Sequence, residues 1–220
     1  MLRRVQILAL VCVAAVAETS AQTNTWRQCL ADTATAAVAA CTSIIVLDPH
    51  NDGAFVNRGL AYRRLGQLDR AIRDYEAAIR LNARAADAFN NRGNAYQDKL
   101  DYERALADYD EAIRLNPRYA HAYNNRGVVF LELGDSLKAL ADFHRAINED
   151  PFYANAFRNR GLAHTDQEEF DLAVEDYDEA FRLNPAVPHG VEYAVALFGR
   201  GDVAAATRLV PNIAELMKPR

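Results

Sequence analysis

One tripeptide, Asn-Arg-Gly, occurs four times in this chain at a constant spacing, as residues 57–59, 91–93, 125–127 and 159–161. An alanine follows each glycine at an equally constant distance, an aromatic residue comes four positions after it, and a second alanine comes three positions later still. A fixed period of 34 residues restricts the chain to an array of similar units that pack on one another. The first alanines of the four units are Ala71, Ala105, Ala139 and Ala173.

The spacing within one unit predicts two antiparallel helices joined by a short turn. An aromatic residue four before each glycine and a large residue three after it fall on one face of a first helix. The glycine and the first alanine are small enough to let the second helix approach closely. Proline ends the second helix in three units, because proline does not fit a helix interior. These prolines are Pro117, Pro151 and Pro185, and Ala83 takes their place in the first unit.

A period of 34 with small and aromatic residues at these positions resembles the tetratricopeptide-repeat (TPR) family. The resemblance covers residues 52–185 and implies an all-α fold, an α-α superhelix (TPR solenoid) of four full repeats with degenerate capping helices at each end. The chain departs from the family pattern at the arginine before each glycine, where leucine is usual, and at His164, where an aromatic residue is usual.

These patterns divide the chain into seven predicted segments. The first is a signal peptide, residues 1–21, and the second is an N-terminal partial repeat or cap, residues 22–51, with a second helix over 37–48. The C-terminal capping helices occupy 188–220, and we expect them over Val191–Phe198 and Val203–Met217. The full repeats between these caps span 52–85, 86–119, 120–153 and 154–187.

The signal peptide is predicted from composition. Arg3 and Arg4 precede a run of mostly apolar residues from Val5 to Ala17, and small residues follow. The run is too short to span a bilayer comfortably, so the layout is typical of a cleaved secretory signal. An uncleaved anchor and a lipoprotein modified at Cys12 are the alternatives. The resemblance to bacterial exported TPR proteins implies a location in the periplasm or outside the cell.

Removal of the signal would leave Cys29 and Cys41 as the only two thiols. An even pair in an exported chain predicts a disulfide, and two free buried thiols are the alternative. Aligned with the repeats, the two cysteines fall on two facing helices of the N-terminal cap. A bond between them would pin a cap whose first helix, around Trp26–Ala31, is short.

Two kinds of polar residue also recur with the period. The arginine of each tripeptide is followed, at the same distance in every unit, by an aspartate just before the second-helix aromatic residue. We interpret these residues as structural ion pairs, within a unit or between neighbouring units, and ligand-binding arginines are the alternative. Second helices also carry charges four residues apart, as in Asp110 and Arg114, which predicts ion pairs on a solvated outer face. The arginine–aspartate pairs are Arg58–Asp74, Arg92–Asp108, Arg126–Asp142 and Arg160–Asp176.

The asparagines of the tripeptide form a second column. In TPR proteins the first helices line the concave surface, and some members use asparagines there to hold the backbone of an extended peptide. The resemblance implies the same role here, and an amide suits it because it both donates and accepts. Bonds between neighbouring helices are the alternative role. The implied groove residues are Asn57, Asn91, Asn125, Asn159, Asn90, Asn94, Gln97, Asn124, His121 and Arg158, with Asp87, Leu131 and Asn155 beside them.

Charge and motif content narrow the function. The formal net charge of -5 at pH 7 gives no reason to expect nucleic-acid binding, which usually needs a basic face. No histidine has a metal-ligand spacing with another histidine or a cysteine, and no glycine-rich phosphate loop is present. We therefore expect no catalytic residue, metal, cofactor or small-molecule substrate.

The predicted function is that of an exported scaffold that binds a peptide segment or a partner protein in the groove. The alternative is a structural protein that self-associates as a homo-oligomer or bridges subunits of an envelope complex. Contact with a membrane is expected only through an uncleaved signal.

Overall fold

A computed structural model describes residues 23, 25–30, 33–186 and 190–217, so the predicted signal peptide lies outside the described residues. The described residues form helices and turns and contain no strand. The chain divides into two compact units, Met1–Asp101 and Tyr102–Arg220. None of the helices in the described residues is long and apolar enough to cross a membrane. The predicted all-α fold of consecutive antiparallel helix pairs is confirmed.

In the first unit, residues 25–29 are helical and precede four further helices. These are α1 (Ala34–Leu47), α2 (Asp52–Arg64), α3 (Leu68–Leu81) and α4 (Ala86–Asp98). The second unit contains α5 (Tyr102–Leu115), α6 (Ala120–Glu132), α7 (Ser136–Glu149), α8 (Ala154–Asp166), α9 (Phe170–Leu183), α10 (Gly190–Gly199), α11 (Val203–Leu209) and α12 (Ile213–Leu216).

Within a helix pair, the glycine of the tripeptide lies directly against an aromatic ring of the second helix. A Cβ atom added to Gly59 would lie 2.6 Å from the Tyr75 ring, and one added to Gly127 would lie 2.7 Å from the Phe143 ring. Because interiors are already close-packed, any side chain here would force the helices apart. This position requires an aromatic ring but no hydroxyl group. Tyr75 and Phe143 are both fully buried, and only Tyr75 carries a hydroxyl.

The turn inside each helix pair places one residue in the left-handed region. Gly66 and Gly134 hold this place with φ of 70° and 78°, and Leu100 and Glu168 hold it in the other two repeats with φ of 60° and 59°. A residue with a side chain is less stable in this conformation than glycine by about 1–2 kcal/mol. The left-handed residue allows the next N–H, that of Asp135 in the third repeat, to bond the carbonyl of the residue five positions earlier at 2.8 Å.

Second helices end at an asparagine or aspartate that caps the following turn. The Oδ1 atom of Asn82 accepts a hydrogen bond from the backbone N–H two residues later, at 3.1 Å. The same bond recurs at the equivalent position of the other units and adds a column to those predicted from the sequence. Its members are Asp48, Asn82, Asn116, Asp150 and Asn184.

The N-terminal cap is closed by the predicted disulfide. Cys29 and Cys41 are bonded, with their Cα atoms 4.8 Å apart, and both side chains are buried. Ile44 and Ala54 join the same buried cluster, and Trp26 packs against it. The disulfide therefore ties the helical residues 25–29 to α1. That helix begins at Ala34, three residues before the predicted start at residue 37.

The C-terminal cap differs from the prediction. A single helix over Val203–Met217 is wrong, because the structure has two helices, α11 and α12, in this range. Pro211 interrupts them: it lacks a backbone N–H and disfavours helical geometry at the residue before it. Val210 is accordingly extended, with φ of -133° and ψ of 96°.

Arginines of the tripeptide bind aspartates of the second helix with two hydrogen bonds. The Nε and Nη2 atoms of Arg126 lie 2.8 and 2.7 Å from the two carboxylate oxygens of Asp142. Asp142 is only 5% exposed, and the hydrogen bond to it raises the pKa of Arg126, to which a bond with Asp110 adds. Arg92 and Asp108 belong to different units, and their pairing stays a prediction. The same two-bond geometry joins Arg58 to Asp74 and Arg160 to Asp176.

Aromatic rings flank these arginines. The guanidinium carbon of Arg58 lies 5.5 Å from the ring centroid of Phe55 and 5.9 Å from that of Tyr62. Arg126 lies between Tyr123 and Phe130 in the same way, at 5.7 and 6.0 Å. A cation over an aromatic face is attracted by the ring quadrupole, and the attraction grows as water is excluded. The rings thus hold the arginine in addition to filling space.

A further hydrogen bond connects the arginine to the preceding helix pair. Nη1 of Arg58 donates to Thr42 Oγ1 on α1 at 3.2 Å, and Nη1 of Arg126 donates to Asp110 on α5. Arginine therefore links three helices, two of its own repeat and one of the repeat before. The predicted outer-face pair of Asp110 and Arg114 is therefore wrong. Asp110 binds Arg126, and Arg114 binds Glu111. In the same way Arg182 binds Glu179, and Asp178 accepts from the Tyr193 hydroxyl.

Replacing Glu168 with glycine is expected to raise the free energy of unfolding by about 1 kcal/mol, because glycine adopts a positive φ without a clash. The measurement is urea unfolding followed by circular dichroism. The reverse change at the equivalent position, Gly134→Glu, is the matched control and is expected to lose a similar amount. Equal stability of wild type and both variants would contradict the strain assigned to this turn.

Replacing Arg126 with leucine is expected to lower the free energy of unfolding by about 3 kcal/mol, because the buried Asp142 carboxylate loses its partner. Arg114→Leu is the control, because Arg114 is exposed and surface pairs contribute about 0–1 kcal/mol. Thermal and urea unfolding measure both. If the two variants were equally stable, the inter-helix role of Arg126 would be refuted.

Replacing Cys29 and Cys41 with serine is expected to lower stability by roughly 3 kcal/mol in the chain-entropy view of a short loop. In the unmutated chain that begins at residue 22, alkylation without reductant is expected to modify no cysteine. Mass spectrometry measures the added alkyl groups. Two modified thiols in this chain would show that the bond is not formed.

Candidate functional site

All predicted groove residues lie on the first helix of a pair. Spacings of three residues place Asn91, Asn94 and Gln97 along one face of α4, whereas Asn90, Asn124 and Arg158 each directly precede a tripeptide asparagine. The four tripeptide asparagines are half-buried, so part of each amide reaches the surface. The residues are Asn57 on α2; Asn90, Asn91, Asn94 and Gln97 on α4; His121, Asn124 and Asn125 on α6; and Arg158 and Asn159 on α8.

Two of these residues lie behind the face rather than on it. Asn90 and Asn124 are each only 4% exposed. Oδ1 of Asn124 accepts from Nδ2 of Asn159 at 2.9 Å, and Nδ2 of Asn124 donates to Oδ1 of Asn125 at 3.3 Å. Asn124 therefore links α6 to α8 and orients two of the half-buried asparagines.

This hydrogen-bond chain matches the alternative role of the asparagines at one interface, where they bond neighbouring helices. It does not consume their capacity, since a primary amide carries two N–H donors and two acceptor lone pairs. In the described contacts, Asn159 donates once, to Asn124, and accepts once, from Arg158 Nη1 at 3.3 Å. The amide thus has one further donor and one further acceptor site for a second molecule.

Arg158 has a partner that the sequence reasoning did not name. Its Nη2 atom lies 2.8 Å from Oε1 of Glu192 on α10, and both side chains are partly exposed. Glu192 follows Arg158 by one repeat period, so the periodicity itself could have revealed the pair. The column of first-helix residues consequently continues into the C-terminal cap, and the charge of Arg158 is compensated within the protein.

An aromatic cluster lies at the N-terminal ends of α6 and α8. The exposed His121 ring is 6.0 Å from Tyr119 and 4.6 Å from Tyr153, measured between centroids. Burial raises the pKa of Tyr153 to about 12. The tyrosines occupy equivalent positions of successive repeats and directly precede the two helices. The His121 ring is tilted against those of Tyr119 and Tyr153, by 49° and 33°, and adds aromatic surface near the end of the face.

The remaining histidines and acids do not assemble into a metal site. Within the described ranges, no group of three or more His, Cys, Asp or Glu side chains is placed to hold a metal ion. His164, which replaces an aromatic residue, bonds Glu169 at 2.6 Å and lies 3.8 Å from Asp176. The chemistry that the face offers is hydrogen bonding from amides, with an aromatic surface at one end.

Models of known protein families match this chain in the region of its repeats. Models described as TPR or tetratricopeptide repeats match residues 59–99, 86–119, 108–141 and 154–186. Comparison with curated protein sequences gives no match.

Solved structures of TPR proteins share the fold. The crystal structure of MamA is 26% identical, with 69% of this chain and 89% of that chain covered and a TM-score of 0.59. PilF of Pseudomonas aeruginosa is 22% identical, with coverage of 77% and 78% and a TM-score of 0.67. YrrB, titled a TPR protein with an unusual peptide-binding site, is 19% identical, with coverage of 80% and 92% and a TM-score of 0.60. This chain belongs to the tetratricopeptide-repeat family.

Proposed function

We propose that this protein is an exported scaffold that holds an extended peptide segment of a partner protein on the face formed by its first helices. The observation that carries the proposal is a half-buried asparagine amide at the same position of the first helix in each of four repeats. An extended backbone presents N–H and C=O groups in alternation, and amides satisfy both. YrrB, with the same fold, is described as having a peptide-binding site, which supports the assignment by analogy.

The amide groups that line the proposed face predict how tightly a peptide would bind. Amide groups recognise a backbone more than a side chain, so that many sequences are accepted. Partly exposed polar contacts contribute little each, about 0.5–1.5 kcal/mol net per hydrogen bond. A segment held mainly by such bonds would bind with a Kd of about micromolar.

Export is supported by two independent features. Residues 5–17 are almost all apolar and follow two arginines. Cys29 and Cys41, the only cysteines beyond this segment, form a disulfide, and such bonds persist in oxidising compartments. We therefore propose a location in the periplasm or outside the cell.

Self-association is a second candidate function, favoured by the outer face of α1. This helix of 14 residues carries no charged side chain, and Val46 and Leu47 are 73% and 76% exposed. An uncharged apolar face can meet a second copy without desolvating ions. A contact of this kind would leave the asparagine face unaffected.

Replacing Asn91 and Asn125 together with alanine is expected to reduce capture of the partner from an envelope fraction at least tenfold, because two backbone-bonding amides are lost. Pull-down with quantitative mass spectrometry measures the capture, and light scattering after size exclusion measures the oligomer. Asn148→Ala, at an exposed position on the second helix α7, is the matched control and should capture as wild type does.

Undiminished capture by the double variant, with its oligomer size unchanged, would reject the asparagine face as the binding site. Lost capture supports the asparagine face only where the oligomer size is unchanged, because self-association through α1 would not involve these asparagines.

A further inference from the structure

Second helices differ in charge over one set of three residues at their start. The set is the N-cap residue and the residues three and six positions after it. In the third repeat these are Asp135, Lys138 and Ala141, and Lys138 Nζ lies 2.6 Å from Asp135 Oδ2. In the second repeat an aspartate, an arginine and an alanine occupy the same positions. The set is therefore neutral in both middle repeats.

In the first repeat the same set carries two uncompensated positive charges. Its residues, Gln67, Arg70 and Arg73, are exposed and line one hollow at the start of α3. Arg70 Nη1 donates to Gln67 Oε1, a neutral group, at 2.9 Å. Arg73 forms no ion pair among the described residues, and the nearby Asp69 is bound to Lys99. We call Gln67, Arg70 and Arg73 the basic surface.

In the fourth repeat the set carries two negative charges. Its residues, Glu169, Leu172 and Glu175, are exposed and line one hollow beside α9. Glu175 has no ion-pair partner in the described part of the chain, and the Glu169 carboxylate bonds the His164 imidazole at 2.6 Å. The sequence contains no lysine or arginine over residues 161–181. We call Glu169, Leu172 and Glu175 the acidic surface.

Other charged groups that line the hollow beside α9 compensate each other. Nε and Nη2 of Arg160 lie 2.8 and 2.6 Å from the two carboxylate oxygens of Asp176. His144 Nδ1 lies 2.8 Å from the Leu140 carbonyl oxygen. The charges of Glu169 and Glu175 therefore remain available to a second molecule.

Packing within a repeat does not require charge at these positions. The last residue of the set is exposed in all four repeats, and it is alanine in both middle ones. Arg70 and Arg73 are three residues apart on one helix, and like charges at this spacing destabilise a helix. Charges that are opposite in the first and fourth repeats are thus better explained by a contact outside the chain than by the fold.

We propose that a second copy of this chain binds at these surfaces, with the basic surface of one copy against the acidic surface of the other. The surfaces correspond position by position, and their charges are equal in magnitude and opposite in sign. A guanidinium group binds a carboxylate through two parallel hydrogen bonds, and its methylene stem covers apolar surface such as Leu172, which is 46% exposed. The proposal rests on self-association, the second candidate function, and assigns it to surfaces other than the outer face of α1.

A contact between two unlike surfaces has consequences for assembly. A pair of copies leaves one basic and one acidic surface unoccupied unless the pair closes on itself, so further copies are able to add. Exposed charges are screened by salt, and association that depends on them weakens as salt rises.

Sedimentation velocity of the disulfide-bonded chain from residue 22 onward measures this association. At about 0.05 M sodium chloride the mean sedimentation coefficient is expected to rise with protein concentration, whereas at about 0.5 M the chain is expected to stay monomeric. A monomer at the lower salt concentration, even at the highest soluble protein concentration, would overturn the proposal. Association of equal strength at both salt concentrations would overturn it as well.

Two variants with reversed charge test whether the surfaces meet each other. R70E/R73E makes both surfaces negative, and L172R/E175R makes both positive. Each variant alone is expected to associate at least tenfold more weakly than wild type. An equimolar mixture of the two is expected to associate again, because the native acidic surface of one meets the native basic surface of the other. A mixture that stays monomeric would refute the contact.

The matched control makes the same change of charge elsewhere on the first repeat. R80E/R84E replaces two exposed arginines that lie outside the basic surface, and it is expected to associate as wild type does. Circular dichroism checks that each variant is folded. A control that loses as much association as R70E/R73E would show that overall charge, and not this surface, determines association.

Failure of this inference is separable from failure of the functions proposed above. Association that persists in both R70E/R73E and L172R/E175R would refute these surfaces and favour the outer face of α1. Partner capture through the asparagines does not involve these residues, so R70E/R73E should capture as wild type does. Lost capture by this variant would show that an acidic partner, and not a second copy, occupies the basic surface.

Discussion

The arginine before each glycine is the contact on which the packing of this protein depends. In the third repeat, Arg126 binds Asp142 of its own second helix and Asp110 of the preceding helix, and two aromatic rings flank its guanidinium group. Apolar packing alone would let stacked helices slide, because hydrophobic burial has no direction. A bidentate guanidinium has a fixed geometry. Register between helix pairs is thus set by hydrogen bonds, while the glycine–ring contacts set their distance.

Under the proposed function, the side of the first helices that carries the asparagines is the one left for binding. Arginines and aspartates occupy the side that faces the second helices, so the asparagines are not needed to hold a repeat together. Asn124 shows how the buried neighbour of a tripeptide asparagine supports it, since one amide orients both Asn125 and Asn159. The proposed binding face consequently follows from a packing scheme that repeats along the chain, and its amides recur with the repeat.

Periodicity made most of the fold predictable from the sequence, because a position that recurs in every repeat has the same neighbours each time. The helix pairs, the disulfide-bonded cap and the arginine–aspartate spacing all follow from it. What could not be predicted was the direction of side chains within a column. Asn90 and Asn124 are buried although the residues beside them are only half-buried, and Asp110 binds Arg126 instead of Arg114. Pro211 by itself indicates a helix break, but the C-terminal cap departs from the repeat pattern, so no equivalent residue in another repeat supports that prediction.

The hydrogen bond between Asn159 and Asn124 has a consequence for the thermodynamics of recognition. Where an incoming strand takes over this bond, one amide contact replaces another, and the enthalpy gained at that repeat is small. Tight holding must then come from length, with each repeat adding a minor increment to a cooperative whole. We therefore expect a bound peptide to be released stepwise from one end, with no single hydrogen bond that controls its release.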